Sequence, residues 1–293
     1  MLKARVITAV VLLPAVALLL FKLDLASFAS VLVIVAYLMA WEWAKLANVT
    51  KPIARSAYAL LTVAVLAGIW SVSPNMVYWP SPYWLVHWQW EPSLVTFWLA
   101  IIAWLVALIW LGRAYFHGVK ITRFSPLSLL LGVVIITGFW VAAISIRAAN
   151  YLTDSYFGSF LLLYMLLMIW AADVGGYFFG KAFGKRKLAP LVSPGKTIEG
   201  MLGGIFLSLV VAFIGAHYLD LAIPSLGVFT MVIILLTLLS VAGDLFESIL
   251  KRQVQVKDSS QLLPGHGGLL DRLDSTLVVA PAFLLAARYF AWL

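Results

Sequence analysis

Residues 248–275 read SILKRQVQVKDSSQLLPGHGGLLDRLDS, a long polar run set between two apolar segments. The run carries Lys251, Arg252, Lys257, Asp258, His266, Asp271, Arg272 and Asp274, and just upstream Asp244 and Glu247 lie inside the end of an apolar segment. Ionisable groups held against hydrocarbon are costly and mark functional sites. The stretch therefore reads as the lining of a site at a membrane edge, one that handles a metal ion and a polyphosphate.

Working outward, the rest of the chain fits a membrane. The 293 residues are 64% hydrophobic and only 11% charged, with mean hydropathy +1.04, where a soluble domain carries about a quarter charged residues. Nine apolar segments of spanning length follow one another, at about 4–21, 28–47, 56–72, 94–112, 127–147, 158–180, 199–219, 226–247 and 275–292. The expected fold is all-α: one polytopic helical bundle of about nine transmembrane helices, with a cytoplasmic N-terminus. In that topology all but Lys22, Arg147 and Arg288 of the 20 lysines and arginines fall on the inner side. The net charge of +8 is thus explained by topology, and nucleic acid drops out as a partner. With no cysteine, thiolate metal sites and disulfides are excluded.

The first half reads as scaffold. Met1–Phe21 resembles a signal peptide in pattern, but an uncleaved first span preserves the charge asymmetry. Glu42, in Trp41-Glu42-Trp43, could face the bundle and take part in the site, but reads first as a snorkelling or Lys45-paired carboxylate between two interfacial tryptophans. Residues 73–93 are an outer loop dense in Trp, Tyr and Pro, an interfacial belt in which His87 has no partner carboxylate. Residues 113–126 are basic and amphipathic and suit the inner leaflet. From Asp173 onward come eight of the 12 acidic residues. Residues 1–293 thus form a single integral membrane domain, with 1–157 mainly scaffold and 158–293 catalytic. Gly176, Gly180 and Gly184 have the small-xxx-small spacing that lets helices approach closely or dimerise.

Three segments should converge on the inner face. Asp173 stands beside Gly175 and Gly176 near the end of the sixth span, which leaves room for an ion or ligand. Ser193-Pro194-Gly195-Lys196-Thr197-Ile198-Glu199-Gly200 opens the seventh. A P-loop would need glycine at 190, where Pro190 stands, yet a basic turn followed by a helix N-terminus can still offer amides to phosphate. Third, Asp244, Ser248 and Lys251 share one helical face, Asp271 and Asp274 another, with Pro264-Gly265-His266-Gly267-Gly268 as the turn between them. Gathered carboxylates suit a hard cation such as Mg²⁺, and Lys251, Arg252 and Arg272 suit phosphates. A structural salt-bridge network is the bland alternative.

Ser248-x-x-Lys251-Arg252, Lys257-Asp258 and the run Pro264–Asp274 resemble the signature of the phosphatidate cytidylyltransferase, or CDP-diacylglycerol synthase, family. The SPGKTIEG segment, Asp173-Val174-Gly175-Gly176 and the nine-span layout extend the likeness over the second half. The resemblance implies an enzyme that makes CDP-diacylglycerol and pyrophosphate from CTP and phosphatidate with Mg²⁺, one cation or two. It also implies a homodimer among the lipids of the bacterial inner membrane, its site open to the cytoplasm. On it we expect Asp244 and Asp271 to hold the metal, assisted by Asp274, while Lys196, Lys251, Arg252 and Arg272 position phosphates. Ser248 would hydrogen-bond a phosphate, and His266 would shape the loop or touch nucleotide. Asp173, Thr197, Glu199, Lys257 and Asp258 complete the expected substrate contacts. An anion transporter would keep the same polar site, but would show paired broken helices in both halves. A CTP-dependent lipid kinase would differ in releasing CDP.

Overall fold

A computed structural model describes residues 2–72, 92–119 and 125–293. Residues 73–91 of the aromatic loop, His87 among them, and the basic residues Lys120 and Arg123 lie outside that set. Nine helices run through the described chain: α1 (Leu2–Phe21), α2 (Leu25–Leu46), α3 (Pro52–Val72), α4 (Pro92–His117), α5 (Pro126–Arg147), α6 (Phe157–Phe183), α7 (Ile198–Tyr218), α8 (Leu226–Gln253) and α9 (Leu270–Tyr289). Their starts are written locally. Asp24, Ser125, Thr197 and Ser225 cap α2, α5, α7 and α8 by accepting a hydrogen bond from the amide three residues on. Proline opens α3, α4 and α5, where its missing N–H costs nothing.

The seven helices α2 to α8 are long and apolar enough to cross a membrane, and this is a multi-pass membrane protein. Helix α5, hydrophobic all round, is buried among its neighbours. By contrast Leu60, Leu99, Ile109, Phe178 and Phe206 lie exposed on outer faces, where hydrocarbon is the natural solvent. The bundle has two distinct ends. At one, Arg147 reaches the carbonyls of Ser155 and Leu23, and Trp292 reaches that of Ala222. At the other, Lys45 donates to Ser259 O and the Ser125 amide to Ala47 O. This alternation matches the one drawn from charge.

One feature differs from the sequence reading. The basic turn before α7 is a two-stranded antiparallel hairpin, β1 (Lys187–Ala189) with β2 (Ser193–Thr197). Two prolines within and beside so short a run hid it. The small-xxx-small face of α6 is turned inward: Gly180 and Gly184 lie against Thr197, and Gly176 faces Gly200. A Cβ on Gly175 would come within 2.4 Å of Gly203 O, so α6 and α7 meet backbone to backbone there. That close approach brings Asp173 beside the start of α7.

Candidate active site

A cavity of about 580 Å³ opens where α6, β2, α7, α8 and α9 meet, at the end of the bundle that carries Lys45. Its size is that of an ordinary small-molecule site. Asp173 comes from α6, Lys196 and Thr197 from β2, Asp244 and Lys251 from α8, and Asp271, Arg272 and Asp274 from the start of α9. Asp258, from the connection before α9, also lines it. The opposite wall is apolar, with Ile169, Trp170 and Val241. Polar groups at the helix ends thus give way to hydrocarbon deeper in, the arrangement an amphiphilic substrate requires.

Two lysines of the lining are paired with acids. Lys196 Nζ lies 2.7 Å from Asp244 Oδ2. Lys251 Nζ lies 2.7 Å from Asp271 Oδ1 and 2.5 Å from Glu247 Oε2. The first pair is the more open, its side chains 26% and 32% exposed against 13% and 7% for Lys251 and Asp271. Asp271 is also the more committed. Its Oδ2 accepts from Ser259 N at 2.9 Å and Gly268 N at 2.7 Å, with the Ser259 hydroxyl, which it shares with Glu42, 2.8 Å away. Its lone pairs are therefore taken, and only the oxygen facing Lys251 can be freed without dismantling the loop. Asp274 accepts one bond, from Ser275 N, through Oδ1.

Several expected contacts stand elsewhere. The Glu199 carboxylate is turned onto the amides of Lys185 and Arg186, so it braces the hairpin and does not line the cavity. At the start of α7 the Ile198 amide is taken by Arg186 O and the Gly200 amide by Thr197 Oγ1; neither is open to a phosphate. Ser248 leans on Asp244 Oδ1 at 3.4 Å, while Arg252 and Lys257 are exposed beyond the lining. The His266 carbonyl accepts from Arg272 Nε and Nη2 at 3.0 and 2.8 Å.

One residue was read too modestly. Glu42 is 1% exposed and is not paired with Lys45. Its carboxylate accepts from Ser259 Oγ, Ser260 Oγ, Leu269 N and Leu270 N. The flanking tryptophans hold it there: the Arg55 guanidinium stacks 3.3 Å from the Trp41 ring centroid, and Trp43 Nε1 donates to Ser128 O. Its signal in the sequence was a carboxylate near a span's end, and Lys45 at i, i+3 made it look like an ordinary ion pair.

For a divalent cation, the donor set is of the right kind, hard carboxylate oxygens. Among the described residues, however, no group of three or more acids or histidines forms a ready-made cage. Mg²⁺ in general needs no such cage, since it keeps several waters and is held by one or two carboxylates together with substrate phosphates.

A sequence model of the cytidylyltransferase family matches residues 3–290. The chain is 38% identical over 287 residues to a phosphatidate cytidylyltransferase of Haemophilus influenzae, covering 97% of each chain. It is 38% identical over 292 residues to that of Pseudomonas aeruginosa, covering 100% of this chain and 99% of the relative. A Bacillus subtilis phosphatidate cytidylyltransferase is 48% identical over 135 residues, 45% of this chain and 49% of its own.

Proposed function

The chain belongs to the cytidylyltransferase family, and from that premise we propose how its residues work. It is a phosphatidate cytidylyltransferase, joining CTP and phosphatidate into CDP-diacylglycerol and pyrophosphate. A phosphatidate phosphate oxygen attacks the α-phosphorus of CTP; the bond from that phosphorus to the β-bridging oxygen breaks, and pyrophosphate leaves with the electron pair. The phosphomonoester already carries nearly two negative charges at neutral pH, so it needs little help from a base. The barrier is electrostatic, a dianion approaching a triphosphate.

The observation that carries the residue assignment is the pairing of each key carboxylate with a lysine inside one cavity. Lys196 and Lys251 would exchange their carboxylates for phosphates when CTP enters, and Asp244 and Asp271, with Asp274 assisting, would be the residues that hold Mg²⁺. The ion would neutralise phosphate charge and polarise the α-phosphoryl group. Arg272, held by His266 O, adds a fixed positive charge at the rim. Asp173 bounds the site on the α6 side, and the apolar wall at Ile169, Trp170 and Val241 takes the glycerol and acyl portion of phosphatidate. Arg252 and Lys257, outside the lining, draw anions towards the mouth.

The same reading places the protein in the bacterial inner membrane with the cavity on the cytoplasmic side, because the lysine- and arginine-rich connections share the cavity's end. Residues 1–293 then act as one integral unit, and a homodimer among membrane lipids is the assembly the family resemblance implies.

Purified protein given cytosine-labelled CTP, phosphatidate vesicles and Mg²⁺ tests the reaction. Label should pass into the lipid phase with one pyrophosphate per liponucleotide. Release of CDP with a newly phosphorylated lipid would mean a kinase instead, and anion flux without CTP consumption a transporter.

A further inference from the structure

Helix α9 begins with no side-chain cap of its own; its N-cap position is Leu269. The first amides of a helix need partners, and here a carboxylate from 227 residues earlier supplies them. Glu42 Oε1 accepts from Leu269 N at 3.0 Å and Ser260 Oγ at 2.5 Å, and Oε2 from Leu270 N at 2.7 Å and Ser259 Oγ at 3.0 Å. Leu269 N, Leu270 N and Ser260 Oγ donate to Glu42 alone, while the Ser259 hydroxyl has one proton to share between Glu42 and Asp271. The positive end of the helix dipole favours the Glu42 charge. Such satisfaction makes so deep a burial of an anion tolerable.

The clamp reaches the site through one atom. Ser259 Oγ lies 3.0 Å from Glu42 Oε2 and 2.8 Å from Asp271 Oδ2. A single hydroxyl thus stands between the buried carboxylate and the one that faces Lys251. Gly268 keeps them close: a Cβ there would sit 2.0 Å from Ser259 Oγ and 2.6 Å from Glu42 Oε2. Lys45 Nζ, one turn along α2, adds a second tie at 2.7 Å to Ser259 O.

We propose that Glu42 is a positioning residue for cytidylyl transfer: through Ser259 and the start of α9 it fixes Asp271 Oδ2, so that Oδ1 meets Lys251, and later the cation, at a set place in the cavity. The inference rests on the cytidylyltransferase reading above. It also makes the end of α2 part of the catalytic machinery, although it lies in the half of the chain that reads as scaffold.

Glu42→Gln and Ser259→Ala, made in the full chain, test it with three readouts: turnover against Mg²⁺ concentration, KM for CTP, and hydrogen exchange of residues 259–271. Glu42→Gln should lower kcat about 10–100-fold and raise the Mg²⁺ needed for half-maximal rate at least about fivefold, with KM for CTP moving less than about twofold. Ser259→Ala, which removes one hydroxyl and keeps the other Glu42 bonds, should shift both in the same direction by less. The double variant should be no worse than Glu42→Gln alone, since both act on one path. The amides of Leu269 and Leu270 should exchange faster in Glu42→Gln while α6 and α7 keep their protection. An unchanged Mg²⁺ midpoint in both variants, or effects that simply multiply, would overturn the positioning role and leave Glu42 a stability element. A wild-type protein that makes no liponucleotide would instead sink the cytidylyltransferase reading, and the exchange data would then report on the clamp alone.

Discussion

Two helix starts frame the cavity, and they are closed in different ways. At α7 the closure is local: Thr197 caps Gly200, and Glu199 folds back onto the amides of Lys185 and Arg186, just ahead of β1. At α9 it is remote: Glu42 crosses from α2, and Asp271 takes Gly268 N and Ser259 N. In both places the amides named above already have partners within the protein, which leaves lysine and arginine side chains to meet substrate phosphates. The difference lies in what each closure controls. The α7 brace secures a hairpin; the α9 clamp sets the orientation of a carboxylate inside the cavity.

Substitutions can break or sharpen this contrast. The largest effect is expected from the cavity acids: Asp244→Asn or Asp271→Asn should cut CDP-diacylglycerol formation about a thousandfold, measured on protein shown to insert normally. Lys251→Met and Lys196→Met should each cost about a hundredfold, with Lys196→Met raising KM for CTP more, because its pair is the more open one. At the α9 start, Gly268→Ala should lose about ten- to a hundredfold in turnover, because its Cβ has no room between Ser259 and Glu42. At the α7 start, Glu199→Gln should change turnover less than about threefold while costing roughly 1 kcal/mol of stability, read from thermal unfolding in detergent. Equal catalytic losses from Glu199→Gln and Gly268→Ala would erase the distinction between the two closures. The smallest effect belongs to Lys257→Cys, which should leave turnover within about twofold. Because the chain has no other cysteine, this variant should be labelled by an impermeant thiol reagent only from the cytoplasmic side; labelling from outside would reverse the topology.

Much of this was legible in the sequence because the physics is local. Spanning length and hydropathy marked the helices, and the lysine and arginine bias sorted the ends. The continuous face of Asp244, Ser248 and Lys251 is found as expected, since α8 runs on to Gln253. What escaped depends on distant pairing. Nothing in Trp41-Glu42-Trp43 announces a partner at Leu269, and nothing in SPGKTIEG shows Glu199 turning away from the cavity. The β1–β2 hairpin was hidden by Pro190 and Pro194. The glycines of α6 signalled close approach, but only the fold shows that α7 is the neighbour that uses it.

The central claim is that the cavity acids are held by lysines until nucleotide arrives, so the divalent ion enters with CTP and not before. Mn²⁺ in place of Mg²⁺, followed by electron paramagnetic resonance on the purified protein, tests this directly. Bound Mn²⁺ should appear only when CTP is present, beyond what CTP binds by itself, and should vanish in Asp244→Asn. Equally tight Mn²⁺ binding without nucleotide, or its survival in Asp244→Asn, would contradict the account.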